Sequence, residues 1–172
     1  MSINNKLKTG VIGATGFTGL DLVYILAKHP KIKITNLCAT KNLGKKISYF
    51  DNRIKKKLPK ISSIKNINWK NLDLVFLSLP NGEAQKIIKK TYKINKKLKY
   101  IDLSADFRIT DPKIYLKNYK IKHKAINLIK NSIYSVSEFS KNNIKKYRII
   151  SNPGCYPTSI PVSYTHLRAH ET

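Results

Sequence analysis

Short, closed apolar runs alternate with helical stripes along this chain. KTGVIGA, at residues 8–14, is an apolar run closed by glycine and predicts a buried first strand. Across residues 17–28, Leu20, Val23, Ile25, Leu26 and Ala27 fit one helical face, and Pro30 ends that helix. IKITNLCA, at 32–39, predicts a second strand. DLVFLSL, at 73–79, is nearly continuous apolar sequence, the pattern of a parallel strand covered on both faces. Residues 83–92 place Ala84, Ile87, Ile88 and Tyr92 on one stripe, and 100–103 and 147–151 supply two further strands. The stretch 111–140 is mixed and predicts no definite element. Strands alternating with helices imply right-handed βαβ crossovers, hence an α/β fold with a doubly wound parallel sheet.

Composition narrows the class without naming a chemistry. The chain has 172 residues, 41% hydrophobic and 25% charged, enough for one ordinary domain with a real core. Two cysteines, Cys38 and Cys155, cannot make a disulfide framework, and no Cys/His spacing suits a metal. No apolar run approaches the roughly 20 residues that span a bilayer. The opening MSINNKLKTG lacks the apolar centre of a signal peptide, so a cytoplasmic, reducing compartment is expected. The net charge of +25 would suit a polyanion partner. Only four of the 34 basic residues are Arg, however, and the lysines are scattered among 24 Ile and 16 Asn. That combination reads as AT-rich coding with solvated lysine faces, and no specific nucleic-acid or membrane partner is expected.

Chemistry first appears at the turn after the first strand. Gly13, Ala14, Thr15, Gly16, Phe17, Thr18 and Gly19 read GxxGxxG between a strand and a helix. Glycines there permit a tight turn and close backbone approach to a pyrophosphate, whose charge the helix N-terminus stabilises. A purely structural tight turn is the other reading. No acidic residue occurs between Asp21 and Asp51 to bind a ribose 2′-hydroxyl, whereas Thr40 and Lys41 follow the second strand. That favours NADP over NAD, unless Lys41 is one more surface lysine. Cys38 reads as a small buried strand residue.

Cys155 follows the last predicted strand in SNPGCYPTS. Pro153 and Gly154 break the strand and set the thiol near the carboxyl edge of the sheet, where doubly wound folds bind ligands. A helix starting there would favour the thiolate, which suits thioester chemistry beside a nicotinamide. Spacing alone leaves an inert buried thiol equally open.

VIGATGFTGLDLVYILAKHP, DLVFLSLPNGEA, IDLSADFRITD, YSVSEF and SNPGCYPTS occur in this order over about 150 residues. In these stretches the chain resembles the N-acetyl-γ-glutamyl-phosphate reductases of arginine biosynthesis. The resemblance implies a Rossmann-like NADP-binding domain over 1–152 and the start of a catalytic domain at 153–161. It implies Cys155 as nucleophile on an acyl phosphate, with NADPH reducing the thioester to a semialdehyde. Gly13, Thr15, Gly16, Phe17, Thr18 and Gly19 match the family's cofactor turn, and Thr40 and Lys41 the region that recognises the 2′-phosphate. Arg108 matches a substrate-phosphate ligand, or else pairs with Asp106 or another carboxylate. Glu138 falls in the site region without an assigned role.

Departures accompany the match. Asn81 stands where the family usually carries His. The family's second, α+β domain, with its assisting histidine, most substrate contacts and the subunit interface of a homo-oligomer, is essentially missing. His29 precedes Pro30 and reads as a helix-end interaction, and His123 receives no role. An aminoadipyl-phosphate reductase of lysine biosynthesis is an alternative, as is a non-catalytic basic module that binds NADP or nucleic acid. The last eleven residues, VSYTHLRAHET, resemble a translated sequencing adapter, so 162–172 are expected to be foreign. Sequencing DNA past codon 172 checks this: the natural frame should leave the present sequence near Ile160. A stop codon directly after VSYTHLRAHET would show that tail to be native.

Overall fold

The computed structural model describes residues 6–136, 140 and 143–168. In chain order the elements are β1 (Leu7–Ile12), α1 (Phe17–Lys28), β2 (Ile32–Cys38), β3 (Ile61–Ser62), β4 (Leu74–Leu77) and α2 (Glu83–Thr91). They continue with β5 (Lys99–Asp102), α3 (Pro112–Tyr119), β6 (Ser132–Tyr134), β7 (Ile149–Ser151) and α4 (Cys155–Arg168). Five of the strands and helices α1 and α2 lie where the apolar pattern placed them. Two edge strands, β3 and β6, and helix α3 were not foreseen. Helix α4 runs on through the string read as foreign as far as Arg168.

The strands form one sheet in the order β3-β2-β1-β4-β5-β7-β6, every pair parallel. The chain winds outward from β1 to β3, returns to β4 and winds the other way. The expected doubly wound sheet is therefore present, with its switch point between β1 and β4. Alternate residues of β1 face opposite layers: Val11 packs with Val23, Leu26 and Leu37, whereas Ile12 packs with Val75, Ile88 and Tyr100. Burial on both faces explains why β1 and β4 read as continuous apolar runs. β1 ends one residue before the glycine that closes its run, because Gly13 adopts φ +83 and cannot continue a strand.

The connection between β2 and β3 contains no α-helix; buried Ile47 and Ile54 anchor it to the core, and polar contacts fix its turn. Asp51 is buried and accepts from Arg53 Nε at 3.0 Å and Nη2 at 2.7 Å. The same guanidinium reaches Asp21 on α1 at 2.5 Å. Arg53 holds the Asp51 carboxyl below the usual carboxylate range.

A second polar centre ties the loop after β5 to both neighbouring helices. Asp106 is fully buried and accepts from Gly82 N–H at 2.6 Å, Gln85 N–H at 2.9 Å and Tyr115 Oη–H at 2.8 Å. Gly82, at φ +89, precedes α2, so this carboxylate caps α2 from a distant loop. His123 Nε2 lies 2.8 Å from the Asp106 carbonyl oxygen, and its Nδ1 accepts from Ala125 N–H at 3.1 Å. The second contact requires an unprotonated Nδ1, so the first is a donation and the ring is neutral. Phe107 and Tyr115 pack edge-on to the imidazole.

Burial lowers the His123 pKa against the opposing pull of Asp106. The unfolded chain therefore binds the proton better, and stability falls as pH drops below about 6.5. His123→Gln keeps a donor without titrating. Its deficit in melting temperature relative to wild type should narrow as pH is lowered from 7.5 to 5, measured by thermal melts (values on the order of the unperturbed His range).

Candidate active site

The switch point holds a cavity of about 660 Å³. Gly13, Thr15 and Gly16 line it from the first turn, Cys38 and Thr40 from the end of β2, and Ser78 and Pro80 from the loop after β4. Ser63 and Ile64, after β3, and Glu83 and Ile87 of α2 also line it. Strand β3 brings Ser63 and Ile64 there, and sequence reasoning missed them because that strand is two residues long.

Backbone spacing dictates the glycines. A Cβ at Gly13 would lie 1.9 Å from the Ser78 carbonyl oxygen, and φ +83 is strained for any L side chain. A Cβ at Gly19 would lie 2.1 Å from the Gly13 carbonyl oxygen, so that glycine lets α1 pack on the turn. A Cβ at Gly16 meets only the Gly13 carbonyl oxygen, at 3.6 Å, an ordinary contact. The three glycines thus serve different ends: the fold needs two, and Gly16 lines the cavity without being sterically required.

Helix α1 starts at Phe17 with no side chain capping its N-terminus and no acid in its first turn. Its free N–H groups and dipole therefore suit an anion. Phe17, Thr18, Gly19 and Lys41 do not line the cavity; Phe17 is 95% exposed and Gly19 is buried. Thr40 does line it, with Lys41 next in sequence and exposed. Cys38 is buried, 3.7 Å from Ser62 Oγ, and burial raises its thiol pKa. That matches a packing role.

The second group of residues lies at the ends of β5 and β7. Cys155 is the first residue of α4 and is exposed. The turn before it is fixed by β5, because Asn152 N–H donates to the Asp102 carbonyl at 2.8 Å. Arg108 ties the same turn to the loop after β5, donating from Nε to Asn152 O and from Nη2 to Leu103 O, both at 3.0 Å. A Cβ at Gly154 would lie 3.1 Å from Arg108 Nη1, so the glycine admits the guanidinium.

Among the described residues Arg108 makes no ion pair with Asp106, whose oxygens accept from Gly82, Gln85 and Tyr115. The carboxylate-pairing alternative for Arg108 is thus not realised with Asp106. Cys155 and Arg108 share the sheet's carboxyl edge with the cavity but do not line it. Asn81 Oδ1 accepts from Ala105 N–H at a long 3.4 Å, a contact within the loops rather than toward a ligand. His29 caps the C-terminus of α1, and its Nδ1 accepts from Lys31 N–H at 3.1 Å. Glu138 lies outside the described residues. Among the described residues no three His, Cys, Asp or Glu side chains gather as metal ligands.

A family model described as semialdehyde dehydrogenase, NAD binding domain, matches residues 8–147. The chain is 43% identical over 157 residues to an N-acetyl-gamma-glutamyl-phosphate reductase of Ehrlichia canis (strain Jake), covering 90% of this chain and 44% of that protein. It is 38% identical over 171 residues to a probable chloroplastic N-acetyl-gamma-glutamyl-phosphate reductase of Arabidopsis thaliana, covering 96% and 42%. The chain thus spans less than half the length of these curated relatives. Among solved structures, aspartate semialdehyde dehydrogenase II from Vibrio cholerae matches with a TM-score of 0.61 at 16% identity, over 88% of this chain and 39% of that chain. Aspartate semialdehyde dehydrogenase with NADP from Candida albicans matches with a TM-score of 0.56 at 20% identity, over 88% and 44%. At these identities the likeness is one of fold.

Gly13→Ala and Gly16→Ala separate folding from ligand contact. Gly13→Ala should lower stability by about 3 kcal/mol, because the backbone must move to clear the Ser78 carbonyl. Gly16→Ala should melt within a few degrees of wild type yet bind dinucleotide about tenfold more weakly. Thermal melts and a dinucleotide titration on both variants check this.

Proposed function

The chain belongs to the semialdehyde dehydrogenase NAD-binding domain family, and from that premise we propose that it is the amino-terminal part of an N-acetyl-γ-glutamyl-phosphate reductase. The observation that carries this reading is Cys155, exposed at the first turn of α4, on the same sheet edge as the glycine-lined cavity. Identities of 43% and 38% to reductases of that name support the substrate class.

The residues present fit a dinucleotide at the switch point. The uncapped start of α1 suits the pyrophosphate, and Gly16 just before it lines the cavity without a side chain. Thr40 and Lys41 suit a 2′-phosphate, and no acid follows β2 to favour a free 2′-hydroxyl, so NADP(H) is the cofactor of choice. When bound, NADPH supplies the hydride that reduces the acyl group to an aldehyde.

Cys155 supplies the covalent step. Its thiolate Sγ attacks the carbonyl carbon of the acyl phosphate, the carbon–oxygen bond to phosphate breaks, and inorganic phosphate leaves with that electron pair. The acyl group is then held on Sγ as a thioester. After hydride arrives at the same carbon, the carbon–sulfur bond breaks, releasing N-acetylglutamate semialdehyde and regenerating the thiolate. Arg108 is the candidate ligand of the substrate phosphate in this reading: Nε and Nη2 donate to the turn, and Nη1 has no protein acceptor among the described residues.

In this reading, 1–152 form the NADP-binding domain, 153–161 begin the catalytic domain and 162–172 are foreign. The rest of the catalytic domain, with its general acid and the interface of a homo-oligomer, lies outside this chain. The enzyme works in the cytoplasm, although the Arabidopsis relative is named chloroplastic. It needs neither nucleic acid nor membrane.

The 172-residue chain should bind NADPH and show negligible turnover. Alkylating Cys155 should leave that binding intact. Lys41→Ala should weaken NADPH binding about tenfold while sparing NADH. Isothermal titration with both cofactors, before and after iodoacetamide, checks these outcomes. Equal affinity for the two cofactors in the unaltered chain would overturn the NADP assignment, and salt-sensitive binding to arbitrary duplex DNA would favour a nucleic-acid module.

A further inference from the structure

A second concavity, of about 630 Å³, lies in the connection between β2 and β3. Its lining shares no residue with the glycine-lined cavity at the switch point. Five lysines border it, Lys46, Lys55, Lys56, Lys57 and Lys60, and no Asp or Glu does. Ile47 and Ile54 also line it and are anchored in the core beside Val11 and Leu37. Ser48 and Asn52 add neutral hydrogen-bonding groups.

The backbone around the concavity is held by the protein itself. Gly44 N–H donates to Ile61 O at 2.8 Å, and Ile61 N–H donates to Lys45 O at 2.9 Å. The two ends of the connection are thereby tied together, with Lys46 and Lys60 next to the tie. Further along, the Asp51 carboxylate accepts from Arg53 N–H at 2.9 Å and from Arg53 Nη2 at 2.7 Å. That pair fixes Asn52 and Ile54, which flank Arg53 in the wall.

The same pair leaves the lysines without counter-charges. Asp51 is the one acid in residues 40–60, and Arg53 takes both it and Asp21 of α1. Lys56 Nζ donates to the Ala27 carbonyl at 3.0 Å. Lys46, Lys55, Lys57 and Lys60 form no ion pair among the described residues. Four like charges around one concavity repel one another and focus a positive potential into it, and a bound anion relieves both.

We propose that this concavity is a second anion site, taking a small oligophosphate: three or more linked phosphates, free or carried by a nucleoside. Three linked phosphates carry roughly four negative charges at neutral pH, which matches the four unpaired ammonium groups. Lysine acts as a point charge that follows a flexible phosphate chain, where an arginine fork would select one planar group. The volume is that of a small-molecule pocket. Because the two cavities share no wall residue, this site stands or falls apart from the reductase reading.

The full chain is titrated with inorganic triphosphate and with ATP, by calorimetry and by amide shifts in NMR. The largest shifts should fall at Ser48 and Asn52. Largest shifts at Thr15 and Gly16 would put the anion in the dinucleotide cavity and overturn the proposal, as would no heat and no shift with either anion. Lys46→Gln, Lys55→Gln and Lys57→Gln together should weaken binding about tenfold or more, with a melting temperature near that of wild type.

The same change at Lys89, Lys90 and Lys93 removes equal charge at exposed positions by the end of α2, which packs on the other face of the sheet. It should weaken binding less than about twofold. Equal losses in the two triple variants would show that binding follows overall charge and would overturn the site. ATP binding more tightly than inorganic triphosphate would support the site with the apolar wall receiving the base; equal affinities would support it with the phosphates alone recognised. A short DNA duplex that binds more tightly than either anion, and is lost in the first variant only, would overturn the small-ligand class.

Discussion

The Asp106 carboxylate joins three segments that are distant in sequence. It receives two backbone N–H groups from the start of α2 and the hydroxyl of Tyr115 on α3, while its own loop runs from β5 toward α3. The helix gains an N-terminal anion, and the buried charge gains three donors, which is what makes it tolerable at 0% exposure. Because the loop is fixed in this way, Arg108, two residues on, can reach across to the carbonyl of Asn152. The position of the turn before Cys155 is thus inherited from a carboxylate that touches neither the thiol nor the cavity.

The cofactor half of the site has a different origin. Its glycine turn is set by backbone: the ends of β1 and β4 lie side by side, and the chain leaving β1 passes under the Ser78 carbonyl with no space for a side chain. Helix α1 then starts without a cap, and its first-turn N–H groups are left for an anion. The two halves meet at one sheet edge because every strand is parallel and so ends on the same side.

Much of this was legible in the chain as written, for physical reasons. A parallel strand buried on both faces must be largely apolar, so the buried part of β1 and all of β4 announce themselves, while β2 shows through its apolar positions Ile32, Ile34 and Leu37. GxxGxxG is legible because backbone crowding excludes other residues at Gly13 and Gly19. Helix α3 had a local signal that went unread: Asp111 accepts from Lys113 N–H at 2.7 Å as its cap, and Pro112 opens the helix. Strands β3 and β6 are two and three residues long, and their pairing rather than their composition makes them strands. Ser63 and Ile64 reach the cavity only through the pairing of β3, so no motif marks them. Phe17 and Thr18 sit within the motif, yet their side chains fall on the outside of α1's first turn, where they do not line the cavity.

The brevity of β3 and β6 also governs how copies of this chain meet. These are the two margins of the sheet, and each offers only a few unpaired peptide groups to a strand from another molecule. A foreign strand adding at either margin would find a template shorter than a typical strand, so ladder extension is a poor route to self-association. With like charge repelling neighbours at +25, unwanted association would have to begin on faces rather than at margins. The exposed Tyr156 and Ile160, one turn apart on α4, mark such a face.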